Sequence, residues 1–268
     1  MRHAFATTAA ALALAWASST ALAGPIAPTL QLQVLETWQT SSTVMVKGKK
    51  TTVITNHSAS SGIIVDTTHT GRVEYQTASG QSFGTFSSLS AIGLGDPLIG
   101  SGLDDEVDLS SQGSAATVSG VVPGSITLTL LLTETGLTTN LGKLPFDAEI
   151  GGTLGKGMVL SYKTFLDPGD HPFGETIPLT SNSFPNKGAF SWEDSADKWL
   201  QDQFSMTELV TIGVPTSAAA TGTSFDASLS TTVVSEPGTA MMLGLPLALI
   251  GFMAARRKAS RVADPAVT

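Results

Sequence analysis

The chain of 268 residues carries 22 acidic and 14 basic side chains, a net charge of −8, and no cysteine. The missing thiol excludes disulfides, zinc–thiolate sites, iron–sulfur clusters and cysteine nucleophiles together. The acidic balance argues against nucleic acid and anionic membrane surfaces as partners, and suits solubility or contact with divalent cations.

In chain order, the first expected element is a targeting segment. Arg2 gives a positive start and Ala9 to Trp16 a short apolar run. Ala21-Leu22-Ala23 then supplies the small-x-small pattern cut by signal peptidase, leaving Gly24 as the new N-terminus. No amphipathic stripe separates two faces here, which argues against a buried helix. Residues 1–23 are therefore read as a signal peptide. The body, residues 24–234, keeps 20 acidic against 9 basic residues, a net charge near −11. It is long enough for one large or two small domains with their own core.

The body reads as strands. Gln31 to Trp38 nearly alternates apolar and polar residues, and Thr43 to Val46 with Thr51 to Thr55 flank a lysine-rich loop that makes a hairpin with Gly48 at its turn. Gly62 to Val65, Arg72 to Gln76, Ser82 to Phe86 and Thr117 to Val122 follow. Pro123-Gly124 then turns the chain into Ser125 to Thr133. Asp147 to Ile150, Met158 to Phe165, Thr207 to Val214 and Phe225 to Val234 complete the set. Thr, Ser and Val dominate, with Gly- and Pro-bearing spacers. The expected fold is mainly β, an antiparallel β-sandwich or jelly-roll-like body.

Several stretches invite a chemical reading. Gly80-Gln81-Ser82-Phe83-Gly84 matches the pattern of a hydrolase nucleophile elbow, but the Gly- and Ser-rich sequence after it is a poor helix, so a strand with a glycine bulge is expected instead. Asp104, Asp105, Glu106 and Asp108 cluster between Gly- and Ser-rich flanks; on a loop they offer oxygen ligands of the kind calcium prefers, or simply a solvated acidic surface. Gly151 to Gly157 lacks the spacing of a phosphate loop. Asp167 to Glu175 gathers three carboxylates and His171 among turn-forming residues, which suits a long connection as well as a cation or acid–base site. His57 and His69 stand alone without ligand spacing.

One segment reads as a short helix. Ser191 to Phe204 places Trp192, Ala196, Trp199 and Leu200 at i, i+4, i+7 and i+8, with Ser191 and Asp194 as a capping box. Its two tryptophans are expected to pack on the sheet; exposed, they would suit stacking on sugar rings.

The C-terminal end mirrors the first. Residues 239–255 form a 17-residue stretch without a charge, followed by Arg256, Arg257, Lys258 and Arg261. As a helix it spans about 25 Å against a hydrocarbon core of about 30 Å, at the short limit of a membrane crossing. Its apolar residues cover every face, and Pro246 would cost a soluble helix about 3 kcal/mol. The basic cluster places its end in the cytoplasm and the body outside.

Ser235-Glu236-Pro237-Gly238, the apolar helix and Arg256-Arg257-Lys258 together resemble the PEP-CTERM sorting signal, with Ser235 where that family has its first proline. The resemblance covers residues 235–258. It implies a Gram-negative exported protein, held briefly in the inner membrane, cut by an exosortase and released to the cell surface or polysaccharide matrix. The processing partners would be exosortase and signal peptidase, with extracellular polysaccharide as a neighbour. The expected function is thus a non-catalytic surface or matrix protein. A calcium-assisted carbohydrate-binding domain using the Asp104 to Asp108 run or the Trp192/Trp199 pair is the alternative, and a secreted hydrolase a further one.

Overall fold

The computed structural model describes residues 27–99, 104–115, 120–138, 142–185, 188–215 and 222–232. The expected signal peptide and the C-terminal sorting signal lie outside them. Alternating sequence becomes twelve strands: β1 (Thr29–Val46), β2 (Lys49–Val65), β3 (Arg72–Gln76), β4 (Phe86–Leu94), β5 (Asp104–Ala115), β6 (Ile126–Leu137), β7 (Gly142–Leu154), β8 (Val159–Asp167), β9 (Ile177–Phe184), β10 (Gly188–Leu200), β11 (Phe204–Val214) and β12 (Gly222–Thr232).

They form two antiparallel six-stranded sheets, ordered β2-β1-β6-β11-β8-β9 and β10-β7-β12-β5-β4-β3. Side chains alternate across each strand, so every second residue of one sheet meets the other sheet. Leu30, Leu32 and Val34 of β1 and Leu128, Leu130 and Leu132 of β6 are buried from one side; Val107, Leu109, Phe146, Ile150 and Leu229 are buried from the other. This is the expected β-sandwich, with no helix among the described residues.

Three glutamates of the first sheet also point inward. Glu36 accepts hydrogen bonds from the Thr85 amide (2.9 Å) and hydroxyl (2.5 Å). Burial still outweighs those bonds and raises its pKa. Glu134 accepts from the Asp96 amide (3.0 Å). Burial, joined by the charges of Asp96, Asp105 and Asp66, pushes it up to about 8 against the opposing Asp96 bond. Glu208 is fully buried, and its Oε1 lies 2.6 Å from Tyr162 Oη, which is 3.1 Å from the Ser228 carbonyl. Burial, joined by the charges of Asp108, Asp226 and Glu106, raises the Glu208 pKa well above the usual carboxylate value against the opposing Tyr162 bond. The Tyr162 hydroxyl is the donor at both contacts, its single proton shared between the Glu208 carboxylate and the Ser228 carbonyl. Tyr162, held by Glu208 of the same sheet, thus ties the first sheet to Ser228 of the second.

The β1–β2 hairpin outruns the sandwich. β1 pairs with β6 from Thr29 to Thr37 and bridges Val121 at Thr40, whereas its pairing with β2 continues to Val46 opposite Lys49. Ser41 to Asn56 is exposed throughout, an arm reaching roughly 20 Å past the last paired strand. Its tip is a two-residue turn in which Lys47 (φ 48°) and Gly48 (φ 77°) both adopt positive φ, the turn whose twist matches a hairpin. The expected turn at Gly48 is therefore present.

The segment expected to be a helix is strand β10, at the edge of the second sheet. Trp192, Ala196 and Leu200 are four residues apart, a spacing that fits one face of a strand as well as one face of a helix. Trp199 is an odd step away and turns outward. The outward positions Ser191, Glu193, Ser195 and Asp197 are all polar, which is the period of two that decides the matter. The acidic run from Asp104 opens strand β5 rather than a loop, because Val107 and Leu109 anchor it in the core. Ser82 lies in an exposed loop that leads into strand β4, so no nucleophile elbow forms. Of the strand expected from Thr117 to Val122, the described part contributes the Val121 bridge.

Candidate functional site: an acidic hollow on the second sheet

The register of the second sheet assembles residues far apart in the chain. Glu193 of β10 stands opposite Glu149 of β7, Glu149 opposite Ser228 of β12, and Ser228 opposite Asp108 of β5. In the neighbouring rows Asp226 pairs with Gly151 and Ser230 with Glu106. All of these face away from the core, because their neighbours Ile150, Ala227, Leu229, Val107 and Leu109 face into it. They border a shallow hollow of about 630 Å³ on the outer face. Gly151 contributes no side chain and keeps its floor low. Trp192 stands opposite Ile150 and its ring turns inward with it, meeting Tyr162 edge-on (6.1 Å, 84°), so this aromatic contact lies beneath the sheet and not in the hollow.

The electrostatics are one-sided. Glu106, Asp108, Glu149, Glu193 and Asp226 line the hollow and no lining residue is basic. Burial, then the charges of Asp226 and Glu106, push Asp108 up to about 6. Two like charges directly opposite on one face destabilise a sheet. Glu149 and Glu193 are such a pair, so the face gains from a cation or a positively charged partner.

The hollow takes up part of the acidic run that the sequence singled out. Glu106 and Asp108 border it, Trp192 turns its ring to the core beneath it, and Asp104 sits at the exposed start of β5. Asp105 points to the other side of the strand; burial and the charges of Asp96 and Asp104 push it up to about 6. Trp199 is 74% exposed outside the hollow. Among the described residues no three His, Cys, Asp or Glu side chains group closely enough to hold a metal ion. Glu149, Glu193 and Asp226 were missed. Glu149 and Asp226 each lie between core-facing neighbours, Ala148 and Ile150 or Phe225 and Ala227, so alternation exposes them, whereas Glu193 joins through its register opposite Glu149.

The other sequence candidates have structural roles. Asp167 is buried and accepts from the Gly169 amide (3.0 Å), the His171 ring (2.7 Å) and the Thr176 hydroxyl (2.9 Å). Burial opposes ionisation there, but these bonds outweigh it and hold its pKa below the usual range. It organises the connection from β8 to β9. His57 stacks on Trp38 (5.2 Å) with its Nε2 2.8 Å from Thr40 Oγ1, at the root of the arm. His69 Nδ1 lies 3.0 Å from the Pro28 carbonyl. The processing residues Ala21, Ala23, Gly24, Ser235, Glu236, Pro237, Gly238, Arg256, Arg257 and Lys258 lie outside the described residues.

No protein-family model and no curated protein matches the chain. Among solved structures it is similar to the K1 cleaved adhesin domain of Lys-gingipain from Porphyromonas gingivalis, at 9% identity and TM-score 0.30, over 61% of this chain and 92% of that one. It is also similar to a structure of infectious bursal disease virus, Gx strain, at 12% identity and TM-score 0.30, over 78% of this chain and 56% of that one. An isomalto-dextranase of Arthrobacter globiformis complexed with panose matches at 13% identity and TM-score 0.21, over 76% of this chain and 35% of that one. Likeness this distant carries no inference about ligand or activity.

Proposed function

We propose that the protein is an exported, non-catalytic surface or extracellular-matrix component of a Gram-negative bacterium. It is anchored briefly in the inner membrane and processed by signal peptidase and an exosortase. The observation that carries this reading is the tripartite tail, Ser235-Glu236-Pro237-Gly238, an uncharged stretch and Arg256-Arg257-Lys258, beginning within a few residues of Thr232, the last residue of β12. The sandwich would then stand close to the membrane until its tail is cut. Intact-mass measurement of the protein recovered from an exosortase-bearing host tests it. The expected species begins at Gly24 and ends near Gly238; recovery of chains that still carry Arg256 to Thr268 would replace release with a permanent anchor.

A second reading, calcium-assisted carbohydrate binding at the hollow, rests on the gathering of Glu106, Asp108, Glu149, Glu193 and Asp226 around it, without an aromatic ring, since Trp192 faces the core. Calcium binding to the folded state would raise the melting temperature by mass action. An unchanged melting curve at millimolar calcium discards it.

A further inference from the structure

The arm of β1 and β2 is a second unpartnered surface, and its chemistry is the inverse of the hollow. Its tip carries Lys47, Lys49 and Lys50, three of the nine basic residues of an otherwise acidic body. Even-numbered residues of β1 face the core as far as Glu36, and the same side of the arm continues with Val44 and Val46, joined across the hairpin by Val53 opposite Ser42. There the second sheet has ended, and all three valines are exposed. A strip of β-branched residues ending in three cations therefore projects with no described strand opposite it. A hairpin of two strands is marginal in water by itself, so the arm gains from a partner.

We infer that the lysine tip of one copy docks in the acidic hollow of a second copy, linking copies head to tail. The charge complementarity lies within one sequence: three lysines on a free-standing tip against Glu106, Asp108, Glu149, Glu193 and Asp226 around a hollow with no basic wall. The hollow alone would name no occupant; the arm supplies one. Because donor and acceptor are different surfaces, a pair of copies still has one arm and one hollow free, so the contact is heterologous and propagates into open chains or rings. The contact requires neither export nor tail cleavage, so its failure and that of the proposed function are separable.

Zero-length carbodiimide coupling tests the contact directly. The full chain, purified in detergent, is mixed in equal parts with an isotope-labelled copy and coupled at low salt, and linked peptides are identified by mass spectrometry. The expected products join Lys47, Lys49 or Lys50 to Glu149, Glu193 or Asp226 across the two labels. They fade as salt rises from about 0.05 to about 0.5 M and the screening length shrinks. The triple variant Lys47→Glu, Lys49→Glu, Lys50→Glu alters residues outside the core. It is expected to weaken self-association at least about tenfold, as is Glu149→Lys with Glu193→Lys. Mixing the two reversed variants restores an alternating chain, a result that misfolding of either cannot produce. Links between arms, a monomer at every concentration, failure of the mixture to associate, or arm lysines engaged by anionic lipid vesicles without links between copies would each overturn it.

Discussion

The two halves of β1 are made of similar residues and meet opposite fates. From Thr29 to Glu36 the strand alternates Leu, Val and polar residues, and each even position is buried. From Ser41 to Val46 the composition is again Thr, Ser and apolar side chains, yet every residue is exposed. The first half has β6 beside it and the second sheet above; beyond Ser41, which bonds to the Gly120 carbonyl, the second half pairs with β2 alone among the described strands. Alternation in sequence offers a face for burial, and the reach of the neighbouring strands decides whether burial follows.

Truncation in each half sets the scale of that contrast. Leu32→Ala removes a fully buried side chain between the sheets and is expected to cost about 2–5 kcal/mol in denaturant unfolding. A loss under about 1 kcal/mol would mean that the sheets pack less closely than described. Tyr162→Phe deletes the hydroxyl that joins Glu208 to the Ser228 carbonyl, leaving buried polar atoms unpaired at a cost of about 1–3 kcal/mol. A neutral result would remove the tie between the sheets.

Acidity sharpens the comparison, because the inner carboxylates belong to the sandwich and not to the arm. Glu134 titrates near 8 in the fold against 4.5 for an unshifted glutamate, so the unfolded chain binds fewer protons between those values. Its contribution is complete below 4.5 and is lost as pH climbs through about 8. Asp105, at about 6, acts in the same sense over a narrower window. Glu134→Gln is therefore expected to lessen the fall in melting temperature between about pH 5 and about pH 8.5. A wild-type melt that is flat over this range would show that Glu134 is solvated. The smallest effect belongs to the arm: Val53→Ala should change unfolding free energy by no more than about 0.5 kcal/mol, since Val53 touches no core. A larger loss would place the arm within the cooperative unit.

The same contrast explains what could be read beforehand. The turn at Gly48 and the run from Ser125 into β6 were legible because turn chemistry and alternation agree there. The helix expected from Ser191 was not, because Trp192, Ala196 and Leu200 satisfy both periods and the deciding residues are the polar ones between them. The hollow was half legible. Glu106 and Asp108 drew notice as a charge run, but Glu149, Glu193 and Asp226 join them through cross-strand register, which no local window contains. The strand β9, Ile177–Phe184, escaped notice because Pro178 and its polar run lack a strong alternating signal.

The position of β12 has a mechanical consequence. It lies between β7 and β5, bonded to both along most of its length, and it is the last of the described strands. Tension applied to the tail, by a membrane or by an assembled neighbour, is carried into the middle of the sheet, where two ladders must give way together before the strand pulls free.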